Sequence, residues 1–488
     1  MSFDPSSADD DRPLVSRRRF LGSTAGCALL STVGVARARP ARTQEDGPTE
    51  MWCFPTGAYS KTPPTVVDET VFAGAINGKV FAIDAETGEK HWMFQAGDEV
   101  NTAPQVTEET VFIGSLDNHV YALDIETGEK RWTFETEDWV YSSPTVAEGR
   151  VFVGSNDSSL YALDTETGEK DWEFETGGSI WQGPTVATVD DETDGSAGAS
   201  GATVFFGSDD HSVYAIDADT GEKDWEFETT NEVTVSPTVA DGTVFVGDYS
   251  RFFYALDAAT GEKQWEFEGK HEEGAIPYEI EGSPTVADET VYFGATETGF
   301  DNLFALDTQT GDRKWSGINE GTFSSALTVA DDTLFASSWT GDIFALDTDT
   351  GERRWVTDLR VQGLSSPLVV DGTLFVGTDR GVIALDVDVE GSSEDSHVAL
   401  GTTGHHHSWR AAQSEFDIEQ SPSTPTPSPT PTPTETPSPT PTGTGTQPES
   451  SPTQSADDDG PGFGVTGALA GLGGLGYLYA RFGDRPAD

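Results

Sequence analysis

Seven tryptophans, Trp92, Trp132, Trp172, Trp225, Trp265, Trp315 and Trp355, close runs dense in aspartate and glutamate. An eighth, Trp52, stands ahead of the first such run. Indole faces can stack a ligand, and carboxylates beside them add charge. A second set of side chains with chemical potential does not recur in register. It comprises Trp139, Tyr141, Trp181, Tyr249, Arg251, His271, Tyr278 and Trp339, with Tyr59, Lys61, His119, His211, Phe252, Phe300, Arg360 and Arg380 around them. A third is His405-His406-His407, a run able to bind metal. Adjacent residues of an extended chain point in different directions, so these histidines alone cannot close a metal site. They read as solvated tail. No serine, cysteine or zinc hydrolase constellation can be assembled. Catalytic residues, resident cofactor and metal are therefore not expected.

The elements that position these residues repeat. One short run opens at Pro64, Pro104, Pro144, Pro184, Pro237, Pro284, Ala326 and Pro367. A Val-Phe-x-Gly-like run begins at Val71, Val111, Val151, Val204, Val244, Val291, Leu334 and Leu374. A third ends in Ala-x-Asp, from Asp84 to Asp386. Each is rich in β-branched and aromatic residues, bounded by Gly, Pro or Asp, and too short for a helix. A Thr-Gly turn follows, then the tryptophan run. Four strands in about 40 residues, repeated, is the spacing of a propeller blade. The fold class is thus all-β, an eight-bladed β-propeller of four-stranded antiparallel blades.

The last copy has no Thr-Gly turn or tryptophan after Asp386, whereas Trp52-Cys53-Phe54 is a spare outer strand at the start. The ring is expected to close by that strand completing the last blade, which removes the open seam. Along an outer strand such as Glu169–Glu175, charges alternate with Trp172 and Phe174. The aromatics therefore face between blades. This assigns the eight motif tryptophans to structure. Binding falls to the loops joining second to third and fourth to first strands, which share one face and vary most.

Ala162-Leu163-Asp164-Thr165-Glu166-Thr167-Gly168-Glu169-Lys170-Asp171-Trp172 resembles the tryptophan docking motif of PQQ-repeat propellers. The resemblance covers about residues 52–390. It implies an eight-bladed ring shared by pyrroloquinoline-quinone (PQQ) dehydrogenases and the outer-membrane assembly factor BamB. The dehydrogenases use PQQ with Ca²⁺ and carry a disulfide between adjacent cysteines. This chain has only Cys27 and Cys53, and no residues match the family's calcium ligands or catalytic Asp. The expected role is a non-catalytic binding or scaffold protein. The alternatives are a quinoprotein dehydrogenase and a BamB-like assembly factor.

Lys+Arg is 27 against 85 Asp+Glu, a net charge of −58 spread along the chain. Such a surface repels nucleic acid. The acid excess resembles proteins of halophilic archaea. Residues 1–38 read as a secretory signal, with Arg17 and Arg18 before Phe20-Leu21 resembling a twin-arginine (Tat) motif. Residues 39–50 form a linker, 51–390 the propeller, 391–420 a polar tail and 421–459 a Thr/Pro/Ser stalk. The segment 460–488 opens with Pro461-Gly462-Phe463 and an apolar run about long enough to span a bilayer. It resembles a PGF-type sorting tail, cut by an archaeosortase and replaced by lipid. The expectation is a Tat-exported protein held at the outer face of the cell membrane, meeting cell-envelope proteins or glycans. Cys53 is expected to be a lone thiol.

Overall fold

The computed structural model describes residues 47–189, 201–269, 279–296, 302–318 and 322–387, with 389, 392 and 397–398. The chain divides into two units, Met1–Ser421 and Pro422–Asp488, and every described residue lies in the first. Arg17, Arg18, His271, Tyr278, Phe300, the histidine run, the stalk and Pro461, Gly462 and Phe463 lie outside the described residues. Among the described residues no helix is long and apolar enough to cross a membrane.

In the first blade Thr65–Val67, Thr70–Gly74, Lys79–Asp84 and Lys90–Gln95 pair antiparallel in chain order. Seven further sheets repeat the plan, giving the eight-bladed, all-β propeller. The two middle strands of each blade are buried almost throughout, because blades pack on both of their faces. The outer strand alternates instead. Lys90, His91 and Met93 are exposed, Trp92 is buried and Phe94 is half-buried. The core lies between blades: Phe72, Val80 and Trp92 cluster with Val111, Ile113 and Tyr121 of the next.

The ring closes through Thr49–Phe54, which pairs antiparallel with Gly381–Asp386 as the outer strand of the eighth blade. Trp52 stands opposite Ala384 as Trp92 stands opposite Ala82. Its indole N–H donates to the Ala85 carbonyl of the first blade at 2.9 Å. One strand thus joins both sides of the seam.

An inner hydrogen-bond ring ties neighbouring blades. Thr65, Thr145, Thr185 and Thr238 donate their hydroxyls to the carbonyls of Pro104, Pro184, Pro237 and Pro284 at 2.5–2.7 Å. Thr328 donates to the Pro367 carbonyl at 2.5 Å. Thr285 donates to Leu327 at 2.7 Å, so Leu327 rather than Ala326 fills the proline position of the seventh copy. A further strand, His397–Val398, pairs antiparallel with Thr285–Ala287, the innermost strand of the sixth blade.

Candidate ligand-binding face

The motif residues are taken up by the ring itself. Trp132 packs on Phe112 of its own blade, with ring centroids 5.7 Å apart, and donates its N–H to the Thr165 carbonyl of the next blade at 2.9 Å. The Thr-Gly turn of that next blade lies under the indole. Gly168 has φ +70°, and a Cβ there would stand 2.6 Å from the Trp132 ring, so glycine is required twice over. The Asp164 carboxylate accepts hydrogen bonds from the Thr167 N–H and hydroxyl, both at 2.8 Å. The same contacts recur at Trp52, Trp92, Trp172, Trp225, Trp265 and Trp315. Trp355 faces the eighth blade, which has no such turn, and packs on Phe335 at 5.9 Å.

A second use of acid by the fold was not legible as such in the sequence. Asp117, Asp157 and Asp210, in the loops between second and third strands, accept from the hydroxyls of Tyr121, Tyr161 and Tyr214 at 2.7–2.9 Å. Each also accepts a backbone N–H from the preceding interblade loop, at Gly97, Glu137 and Gly177. Burial pushes the three tyrosine hydroxyls above their usual range, and the neighbouring carboxylates add to it. A shallow acidic recess of about 130 Å³ beside Asp157 and Tyr161 is built from one of these stitches. Two of its carboxylates are already engaged: Asp157 as above, and Glu173, which accepts from Ser159 at 3.0 Å and pairs with Lys170.

The remaining variable residues gather on the opposite face from the Thr-Gly turns. Backbone bonds sew the two loop types together there: Ile76 to Tyr59, Asn156 to Trp139, Asp209 to Ser179, Tyr249 to Glu232 and Trp339 to Thr322, at 2.7–3.2 Å. Trp139 is half-buried, and Trp339 is 49% exposed. Tyr59 packs its hydroxyl against Gly363, and Lys61 lies over its ring at 5.9 Å. Arg251 is drawn to the rim, where it pairs with Glu268 at 2.8 Å and lies over Phe252. His119 bonds the Asp117 carbonyl at 2.7 Å and stacks on Tyr121.

Tyr141 and Trp181 are brought together, with ring centroids 5.3 Å apart and planes at 55°. Both occupy the position three residues before the proline that opens a blade, so adjacent blades place them side by side. The Trp181 N–H donates to an Asp209 carboxylate oxygen at 2.6 Å. Burial pushes the Asp209 carboxyl up to about 6, and Glu232 and Asp210 add to this against Trp181 and His211. Asn101 holds the same repeat position one blade earlier and donates its amide N–H to Glu99 at 3.0 Å. Asn101 and Asp209 were missed from sequence. Alignment of the 40-residue period would have exposed Asn101, whereas Asp209 is set by packing between loops.

Calcium with PQQ would require a set of oxygen donors converging on one ion. Among the described residues no three His, Cys, Asp or Glu side chains gather so as to hold a metal.

The family model of the outer membrane protein assembly factor BamB matches residues 41–138, 110–180, 174–322 and 305–393. The chain belongs to this family. BamB from Moraxella catarrhalis is 19% identical, with a TM-score of 0.56 over 69% of this chain and 97% of its own. The computationally designed Ika8 protein is 17% identical, with a TM-score of 0.57 over 69% and 99%. The quinohemoprotein alcohol dehydrogenase of Comamonas testosteroni is 16% identical, with a TM-score of 0.54 over 73% and 77%. A designed ring, an assembly factor and a dehydrogenase share this fold, so at these identities the likeness is one of fold alone. No curated protein matches the chain. Within the BamB-like ring, function must be argued from the loop face.

Proposed function

We propose that this protein is a non-catalytic binding or scaffold propeller, displayed outside the cell and tethered to its membrane. One observation carries the reading. The side chains that break the repeat, including Tyr141, Trp181 and Trp339, collect on one face of a ring whose repeating residues are all engaged in holding it together. Loops on a rigid scaffold are where recognition sits. The twin-arginine-like start and the Pro461-Gly462-Phe463 tail support export and tethering, with the Tat translocase and an archaeosortase as processing partners. Envelope proteins or glycans are the partners this placement offers. Assembly of other envelope proteins, as in BamB itself, is one form such a scaffold can take.

The competing reading is a PQQ dehydrogenase, favoured by the fold shared with quinohemoprotein enzymes. Purified protein at native salt, supplied with PQQ and Ca²⁺, is expected to bind no quinone and to reduce no dye with alcohols or sugars. Stoichiometric quinone binding with dye reduction would overturn the proposal.

A further inference from the structure

The geometry points to an organic-cation site on the loop face of the second to fourth blades, in which Tyr141 and Trp181 receive an ammonium or guanidinium group and Asp209 supplies its counter-charge. This inference rests on the binding role proposed above and names its ligand chemistry.

Three observations converge there. The first is aromatic. Tyr141 and Trp181 are half-buried rings inclined at 55° to each other, 5.3 Å apart, on adjacent blades. The two rings pack against each other and each keeps part of its surface open to solvent, where a cation is the guest that a π face attracts. Trp181 is held in place by Asp209, which accepts its N–H at 2.6 Å. A ring that is already fixed loses little entropy on binding.

The second is unsatisfied acceptor capacity. The other Asp209 oxygen is shut from water and has no hydrogen-bond partner, and the same holds for the side-chain oxygens of Asn101 and Asn156. Asn156 occupies in the third blade the loop position that Asp209 holds in the fourth. Buried acceptors without donors are costly, and they mark this arc as one that the fold leaves short of N–H donors. The ring N–H of Trp181 is already spent on Asp209, so this arc offers acceptors and π faces to a guest.

The third is charge. The loop segments 95–105, 115–119, 135–145, 155–159, 175–185, 208–212 and 228–237 contain no lysine or arginine. Glu99 lies near enough to raise the Tyr141 hydroxyl, and Asp210 and Glu232 act likewise on Asp209. Among the described residues, lysines and arginines of the loop face stand elsewhere, at Lys61, Arg251, Arg360 and Arg380. An incoming ammonium therefore meets acid that no lysine or arginine of these loops neutralises, and it offsets the repulsion from Glu232 and Asp210 that adds to burial in keeping Asp209 hard to ionise. An aromatic pair with such a counter-charge suits a cation better than a neutral sugar or an anion.

Two sources carry this chemistry: a free amine, or a lysine or arginine side chain of a partner protein. Isothermal titration of the full chain, at the salt where it is folded, separates them. The probes are putrescine, a short peptide with one internal lysine, and the same peptide with that lysine acetylated. Putrescine or the lysine peptide is expected to bind, and the acetylated peptide to bind at least about tenfold more weakly. Binding of putrescine alone assigns a free amine; binding of the peptide alone assigns a protein side chain. Trp181→Ala and Asp209→Asn should each weaken binding about tenfold or more. Glu166→Gln removes one charge from the turn face and should leave binding unchanged. Tyr141→Phe keeps the ring and should retain most of the affinity, which guards against a fold defect in the alanine variant. Equal binding of the acetylated peptide, loss with Glu166→Gln equal to that with Asp209→Asn, or no binding of either cationic probe overturns the site. If the cation probes fail while envelope partners still bind the loop face, only this inference falls; if both fail, the binding role falls with it.

Discussion

Trp132 is surrounded by contacts that the sequence pattern alone implied only in part. Its alternation with charged neighbours on Lys130–Glu135 showed that it faces between blades. The partner glycine did not follow from the pattern, because Gly168 lies in the next copy and meets the ring only when blades stack. Trp132→Ala is expected to cost about 3–5 kcal/mol in denaturant unfolding at native salt. Gly168→Ala combines a positive φ with overlap against the indole and should cost about 1–3 kcal/mol or more. Two aspartates titrate in opposite senses. Arg131 and Thr127 hold the Asp124 carboxyl down at about 2. Its contribution to stability is present above the ordinary aspartate range and is lost as pH falls from about 4 to 2. Asp209 is raised to about 6, so its protonated form favours the fold; that contribution is present below about 4 and lost as pH rises through 6. Melting curves across pH should therefore show Asp124→Asn flattening the acid limb and Asp209→Asn removing a decline between pH 4 and 6. The reverse signs would count against both assignments.

The strands and turns were the most legible part of the chain, since period-two apolar runs bounded by Gly, Pro and Asp leave few alternatives. The loops were less so. Trp181 and Asp209 belong to different loops of one blade, and nothing in their local sequence pairs them. Leu327 in place of a proline shows a similar limit: the position is defined by a carbonyl that Thr285 reaches across the interface, not by residue type. The inner threonine ring yields a prediction about elements. Thr285→Val keeps the shape but removes a buried bond between sixth and seventh blades, at a cost of about 1 kcal/mol in unfolding free energy. A neutral result would mean that this threonine bond adds nothing to the packing and indole bonds across that interface. Thr285 also lies in the innermost strand that pairs with His397–Val398, so the variant should be measured with and without residues beyond 390.

A ring made of near-identical copies needs a device that stops it from opening, and here one six-residue strand provides it. Thr49–Phe54 completes the eighth blade by backbone pairing and reaches the first through Trp52. Deleting residues 47–54 is expected to lower the melting temperature of the whole propeller in one cooperative step, and an unchanged curve would contradict closure. The net charge of −58 makes such comparisons meaningful only at high salt, where repulsion is screened. Eight blades, their strand order and the closing strand were countable from the repeat, whereas the identity of a ligand was not, because it lies in the residues that do not repeat. The most direct test is hydrogen exchange on the full chain at native salt, with and without cell-envelope extract. Protection is predicted at residues 97–101, 137–141, 177–181 and 208–211 on the loop face. Protection confined to the Thr-Gly turns, or none on either face, would contradict a role as a binding propeller.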